Sequence, residues 1–229
     1  MVSIRLPVLP FPLPTPFIGH HYIPPTAHRV EIFSPQAHLV HYPTSTHSHI
    51  HLQPHADAAK FAGGIDKPTA YAQLLDSLSA LVVDQRNWVA NTANAASLLW
   101  HLYHSLPAPS SSVNWSGFYV LDPRDPDGQQ LILGPFMGKV ACQTIRFGKG
   151  VCGAAAQQGR TVLVRDVDEF PGHIACDGDS RSEIVVPIKV DGKVVGVIDV
   201  DCAEVGGFGE ADKTGLEAVA DLLARSCDW

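Results

Sequence analysis

The chain has 229 residues, with 45% hydrophobic and 17% charged content and a formal net charge of −7. That apolar content can bury a core, and the length suits one ordinary domain plus an extension. Sparse, unclustered lysine and arginine speak against nucleic acid as a partner. No run reaches the roughly 18 apolar, charge-free residues that a membrane-spanning helix needs, so no membrane association is expected.

Residues 1–65 stand apart from the rest. Prolines recur there, among them Pro7, Pro10, Pro12, Pro14 and Pro16, and nine of the twelve histidines fall in this stretch. With no sustained helix or strand period, it reads as a Pro/His-rich, low-complexity extension that burial cannot order. Its His47, His49 and His51 alternate in a way that would let an extended chain present them to a metal, although a plain low-complexity tail explains them as well.

Periodicity begins near Ala70. Tyr71, Leu74, Leu75, Leu78 and Val82 share one helical face, and Val89, Ala93, Ala96, Trp100 and Tyr103 another, with a polar break at residues 84–87. Strands are expected over 115–121, 130–134, 140–146 and 161–164, with a short helix over 153–158. Asp191-Gly192 between two β-rich runs, 183–190 and 193–201, is a strong hairpin signal. A final helix over 210–225 presents Leu216, Val219, Ala220 and Leu223. This order predicts an α+β domain over 66–229: a central antiparallel sheet of about six strands with helices packed on one face.

Five cysteines, Cys142, Cys152, Cys176, Cys202 and Cys227, are an odd number in a chain with ample core. They read as reduced thiols of a cytoplasmic protein rather than the staples of a secreted scaffold. Cys142 falls on a predicted strand, Cys152 in a glycine turn and Cys176 in a loop rich in turn formers, where reactive side chains concentrate. Cys202 and Cys227 sit in a strand and a helix and read as structural. The spacing Cys-x9-Cys-x23-Cys lacks the close pair usual in zinc sites, so no metal is expected. Gly148, Gly150 and Gly153 spell the dinucleotide fingerprint, but midway through an antiparallel domain it reads as a tight turn.

Asp199 and Asp201 are two apart on one strand, and Glu183 opens its hairpin partner, so three carboxylates can share a face. On spacing alone this is either a solvated strand end or a cluster built to bind a ligand ammonium and supply a general acid.

Several motifs, taken together, carry a resemblance. They are Asn114-Trp115-Ser116-Gly117-Phe118-Tyr119, Gly134-Pro135-Phe136, the glycine turn holding Cys152, Phe170-Pro171-Gly172-His173-Ile174-Ala175-Cys176-Asp177, the run from Ser182 to Ile188, and Gly196-Val197-Ile198-Asp199-Val200-Asp201. In this order they resemble the free methionine-(R)-sulfoxide reductases, enzymes of the GAF-domain type, over about residues 70–229. Residues 1–65 have no counterpart in that family, and the loop over 122–128 looks lengthened.

The resemblance implies a GAF fold and reduction of free methionine-(R)-sulfoxide. It implies Cys176 as nucleophile, Cys142 as resolving thiol and Cys152 as a further relay member. Glu183, Asp199 and Asp201 would hold the substrate ammonium or help protonate the sulfoxide oxygen, with Trp115 and Tyr119 as walls for its methyl end. It also implies thioredoxin as external reductant, no cofactor, and homodimerisation. Two other readings share these features: a GAF module that binds a small regulatory ligand without catalysis, and a thiol-based peroxide sensor.

Overall fold

A computed structural model describes residues 56–173 and 177–229. The expected disorder and possible metal ligation of the histidine-rich stretch fall on residues 1–55, outside that range. The packed part begins upstream of residue 66, because Ala59, Phe61 and Ile65 pack against the core.

Helix α1 (Lys67–Leu81) is capped by Asp66, whose carboxylate accepts from the Thr69 N–H at 2.9 Å, and has a proline in its first turn. Helix α2 (Trp88–Ser105) is capped in the same way by Asn87, so the polar break at 84–87 is the corner between the two. The stripe expected for α1 holds at Tyr71, Leu74 and Leu78. That of α2 is corrected: Val89 and Ala93 are exposed, and Ala95, Leu98, Leu99 and Leu102 are buried with Ala96 and Tyr103. α2 packs against the sheet as well as against α1, so its apolar face is broader than one heptad stripe.

Six strands form one sheet, β1 (Val113–Leu121), β2 (Gln130–Gly138), β3 (Thr144–Arg146), β4 (Val162–Val164), β5 (Ser182–Val190) and β6 (Lys193–Cys202). Their order is β3-β2-β1-β6-β5-β4 and every pairing is antiparallel. The β5–β6 hairpin turns at Asp191 and Gly192, both with positive φ as a primed two-residue turn requires. The strand expected over 140–146 is corrected to its last three residues. β2 instead runs on to Gly138, pairing with Trp115, and Val140 is exposed. Cys142 therefore lies on the connection between β2 and β3, not on a strand.

Strand alternation divides the core in two. Phe118, Ile184, Val186, Ile188, Ile198 and Val200 face α1, α2 and α4 (Glu210–Ser226). Trp115, Tyr119, Val185 and Val197 point the other way, toward a short helix α3 (Gly150–Gln158) that closes part of the opposite face. The expected layering on one face thus describes the three long helices, and α3 covers the side that carries the polar site. Among the described residues, no helix is long and apolar enough to cross a membrane.

Candidate active site

The β-sheet register assembles the acids. Glu183 on β5 pairs with Asp201 on β6, and Asp199 pairs with Val185. On the other side of β6, Trp115 lies opposite Asp201 and Gly117 opposite Asp199. Gly117 is a steric requirement, since a Cβ there would run into Phe136 and the Trp115 ring. Its absence lets the indole lie flat between Phe136, at 5.2 Å between centroids, and Tyr119, at 5.8 Å.

Trp115 and Tyr119 are buried, and their polar tips are committed. Trp115 Nε1 donates to the Lys139 carbonyl at 3.1 Å, and the Tyr119 hydroxyl donates to the Cys142 carbonyl at 3.1 Å. Both rings thereby fasten the β2–β3 connection that carries Cys142. A cavity of about 220 Å³ lies beside them, lined among others by Cys142, Cys152, His173, Glu183, Asp199 and Asp201. Trp115 and Tyr119, expected as walls of the site, are not among the residues that line it.

Cys152 sits in the first turn of α3, which starts three residues earlier than its sequence pattern predicts. Gly148 turns with positive φ, and Gly153 packs where a Cβ would meet the Arg146 carbonyl. The glycine pattern is thus a turn and a close backbone approach, as expected. Cys152 is buried, with Sγ 4.0 Å from Glu183 Oε1. Burial, then the charges of Asp199 and Glu183, push its thiol pKa well up, away from the thiolate form that attacks.

The carboxylates are unusual for their burial. Glu183 and Asp199 are each 6% exposed. Loss of hydration is the main cause that raises the pKa of all three acids, followed by crowding: Asp201 acts on Glu183, Glu183 on Asp199, and Asp199 with Asp177 on Asp201. Asp199 Oδ1 is buried without a hydrogen-bond partner among the described residues. An acid group held dry, crowded and unpaired costs stability, and a cation in the cavity would relieve it.

Cys142 is disulfide-bonded, whereas Cys152, Cys202 and Cys227 are free thiols. Cys176 lies outside the described residues, with Ile174 and Ala175. The segments that flank it are fixed on both sides. Asp177 accepts from Asn114 Nδ2 at 3.3 Å and pairs with Lys139 at 3.2 Å, and Lys139 also reaches Asp179 at 2.6 Å. On the other side, His173 Nε2 stands 3.6 Å from Glu183 Oε2. His173, Lys139 and Asn114 are site residues that the sequence reading assigned no role. His173 was within reach of it, as a titratable side chain three residues from Cys176 in a quoted motif. Lys139 carried no local signal.

Among the described residues, one group has metal-ligating atoms close together: Cys152, Glu183 and Asp199, all within 4.8 Å of one another. A thiol and two carboxylates in a cavity suit a cation in general, and a compact organic ammonium satisfies them as well as an ion would.

The GAF domain model matches residues 108–226. A free methionine-R-sulfoxide reductase of Saccharomyces cerevisiae is 51% identical over 174 residues, 76% of this chain and 94% of the yeast protein. One from Escherichia coli is 40% identical over 161 residues, 70% of this chain and 90% of its own length. The X-ray structure of the free methionine-R-sulfoxide reductase from Neisseria meningitidis in complex with its substrate superposes with a TM-score of 0.66 at 41% identity, covering 73% of this chain and 93% of that one. The fold, the site and these likenesses agree: the chain belongs to the GAF-domain family of free methionine-R-sulfoxide reductases.

Proposed function

We propose that this chain reduces free L-methionine-(R)-S-oxide to L-methionine by thiol chemistry. The observation that carries the reading is the buried acid cluster beside the cysteines, with an Asp199 oxygen that has no partner among the described residues. A substrate ammonium would satisfy that oxygen and offset the crowding of Glu183, Asp199 and Asp201. Within a polypeptide the same nitrogen is an uncharged amide, so the cluster selects the free amino acid.

The thiolate of Cys176 attacks the sulfoxide sulfur while a carboxylic acid of the cluster protonates the oxygen. The S–O bond of the substrate breaks and one to cysteine forms. The substrate sulfur gains two electrons and the cysteine sulfur, now a sulfenic acid, loses two. Cys142 then condenses with the sulfenic acid, releasing water and closing a disulfide. Two observations support Cys142 in that role: it lines the cavity, and it is disulfide-bonded while Cys152 is a free thiol. Cys152 serves the site as a buried, protonated thiol beside Glu183. An external dithiol, thioredoxin, restores the enzyme by exchange. No cofactor is needed, because the thiols supply the electrons. A cytoplasmic, dimeric enzyme belongs to the same reading. A peroxide sensor would use the cysteines but leave the acid cluster without purpose, and a purely ligand-binding module would leave the disulfide without one.

The test is stereospecific methionine formation from the R sulfoxide with thioredoxin, its reductase and NADPH. Wild-type protein should turn over and Cys176→Ser should not. Undiminished turnover in that variant would remove the nucleophile from this mechanism.

A further inference from the structure

His173 is the one cavity-lining histidine among the described residues, and the reaction as drawn does not use it. It is held by the turn after a 3₁₀ segment, Val167–Glu169, with its N–H donating to the Phe170 carbonyl at 3.1 Å. Its side chain is 15% exposed, and Nε2 lies 3.6 Å from Glu183 Oε2. The other oxygen of Glu183 faces the Cys152 thiol. Glu183 therefore has one oxygen toward the thiol and one toward an imidazole that retains contact with water.

We infer that His173 is a positioning residue that reloads Glu183 with a proton during sulfoxide reduction. This rests on the function proposed above and assigns to Glu183 the delivery of the proton to the sulfoxide oxygen. In the resting site Glu183 is protonated and His173 neutral. When Glu183 gives its proton to the sulfoxide, the new carboxylate is buried beside Asp201. His173 takes a proton from water, becomes an imidazolium 3.6 Å from that carboxylate, and passes the proton on. One proton enters from solvent and one leaves in the sulfenic acid, so each half-reaction balances.

The groups around the imidazole agree with a neutral resting state. Burial lowers the His173 pKa, and Asp168 opposes it, although Asp168 is itself paired with Arg181 at 3.4 Å. From the strands, Glu183, Asp199 and Asp201 face the same cavity, with Cys152 and Lys149 from α3 and its cap, Arg146 from β3 and Asp177 from the loop. Burial raises the pKa of all three acids, so a Glu183 that has given up its proton is a strong partner for His173.

The experiment uses the full-length enzyme in multiple turnovers with dithiothreitol as reductant, following methionine formation at steady state, where every cycle after the first needs the reloading step. His173→Ala and His173→Gln should both slow that step about tenfold or more at pH 8, with substrate affinity changed less than about threefold. Gln can keep a hydrogen bond to Glu183 but cannot carry a proton, so it should not rescue. The deficit should shrink toward pH 6 as solvent protons become more available. Wild-type rates in His173→Gln, or a deficit independent of pH, would overturn the inference and show a structural role. Because a His173 variant can misfold, the imidazole of the wild-type chain is also titrated by NMR against Glu183→Gln. A His173 titration unmoved by that change would equally overturn it. Absence of methionine formation by wild-type enzyme is a different failure, that of the proposed function.

Discussion

Two buried polar clusters lie on opposite faces of the same sheet, and they are built on opposite principles. Behind the sheet, Asp212 is fully buried and every contact answers it. Lys67 Nζ lies at 2.6 Å, the Gly209 N–H donates at 2.8 Å and the Tyr71 hydroxyl at 3.3 Å, while Tyr71 in turn shares a hydrogen bond with Tyr103. In front, Glu183, Asp199 and Asp201 crowd one another, and Asp199 Oδ1 has no partner among the described residues. A satisfied buried network fixes structure; an unsatisfied one stores an attraction for whatever completes it. In the function proposed above, the same sheet therefore carries a structural acid on one side and a substrate-recognising acid cluster on the other.

If that contrast is right, substitutions on the two faces should have opposite signs. The largest effect on stability is expected for Asp212→Ala, which strands Lys67 and removes the acceptor of Gly209. It should cost about 3 kcal/mol, the lower end for breaking a buried pair, because Lys67 is a quarter exposed and keeps a route to water. Chemical denaturation would measure this loss, and turnover per folded molecule should persist.

Asp199→Asn should do the reverse, gaining about 1–3 kcal/mol at neutral pH by removing a crowded acid while weakening turnover severely. A loss of stability in this variant would erase the distinction between the clusters. The sign of the pH dependence sharpens the same comparison. The folded-state pKa of Asp199 is raised, so the folded state favours the protonated acid. Its contribution is fully present below the ordinary carboxylate range near pH 4 and is lost as pH rises through the folded value. The stability gained by the variant should therefore grow with rising pH and vanish below about pH 4. Paired melts of wild type and variant across that range would follow it.

Much of this contrast could be read before the fold was known, because it follows from the shortest periodicities. The two-residue repeat put Asp199 and Asp201 on one face, and the Asp191-Gly192 turn set the register that brings Glu183 opposite Asp201. The helical repeat found α1 and α4. Less legible was anything that depends on tertiary partners. The buried face of α2 is not legible from one stripe, because a helix between a sheet and another helix buries more than that. Cys142 was placed on a strand because Val140 looks apolar, whereas pairing to β1 ends at Gly138. Trp115 and Tyr119 were identified as site residues, but their polar tips hold the carbonyls of Lys139 and Cys142, a contact that no sequence pattern encodes. Lys139 acts across about forty residues, and at such a separation residue identity carries no local signal, whereas His173 stands in a legible motif beside Cys176 and only its contact with Glu183 is tertiary.

The most direct test of the recognition cluster is a comparison of the R sulfoxide of free methionine with that of N-acetylmethionine under identical reducing conditions. Glu183, Asp199 and Asp201 require the charged amino group, so the free compound should be reduced and the acetylated one should be slower by at least about a hundredfold. Equal rates for the two would contradict the assignment of these three acids to the substrate's ammonium.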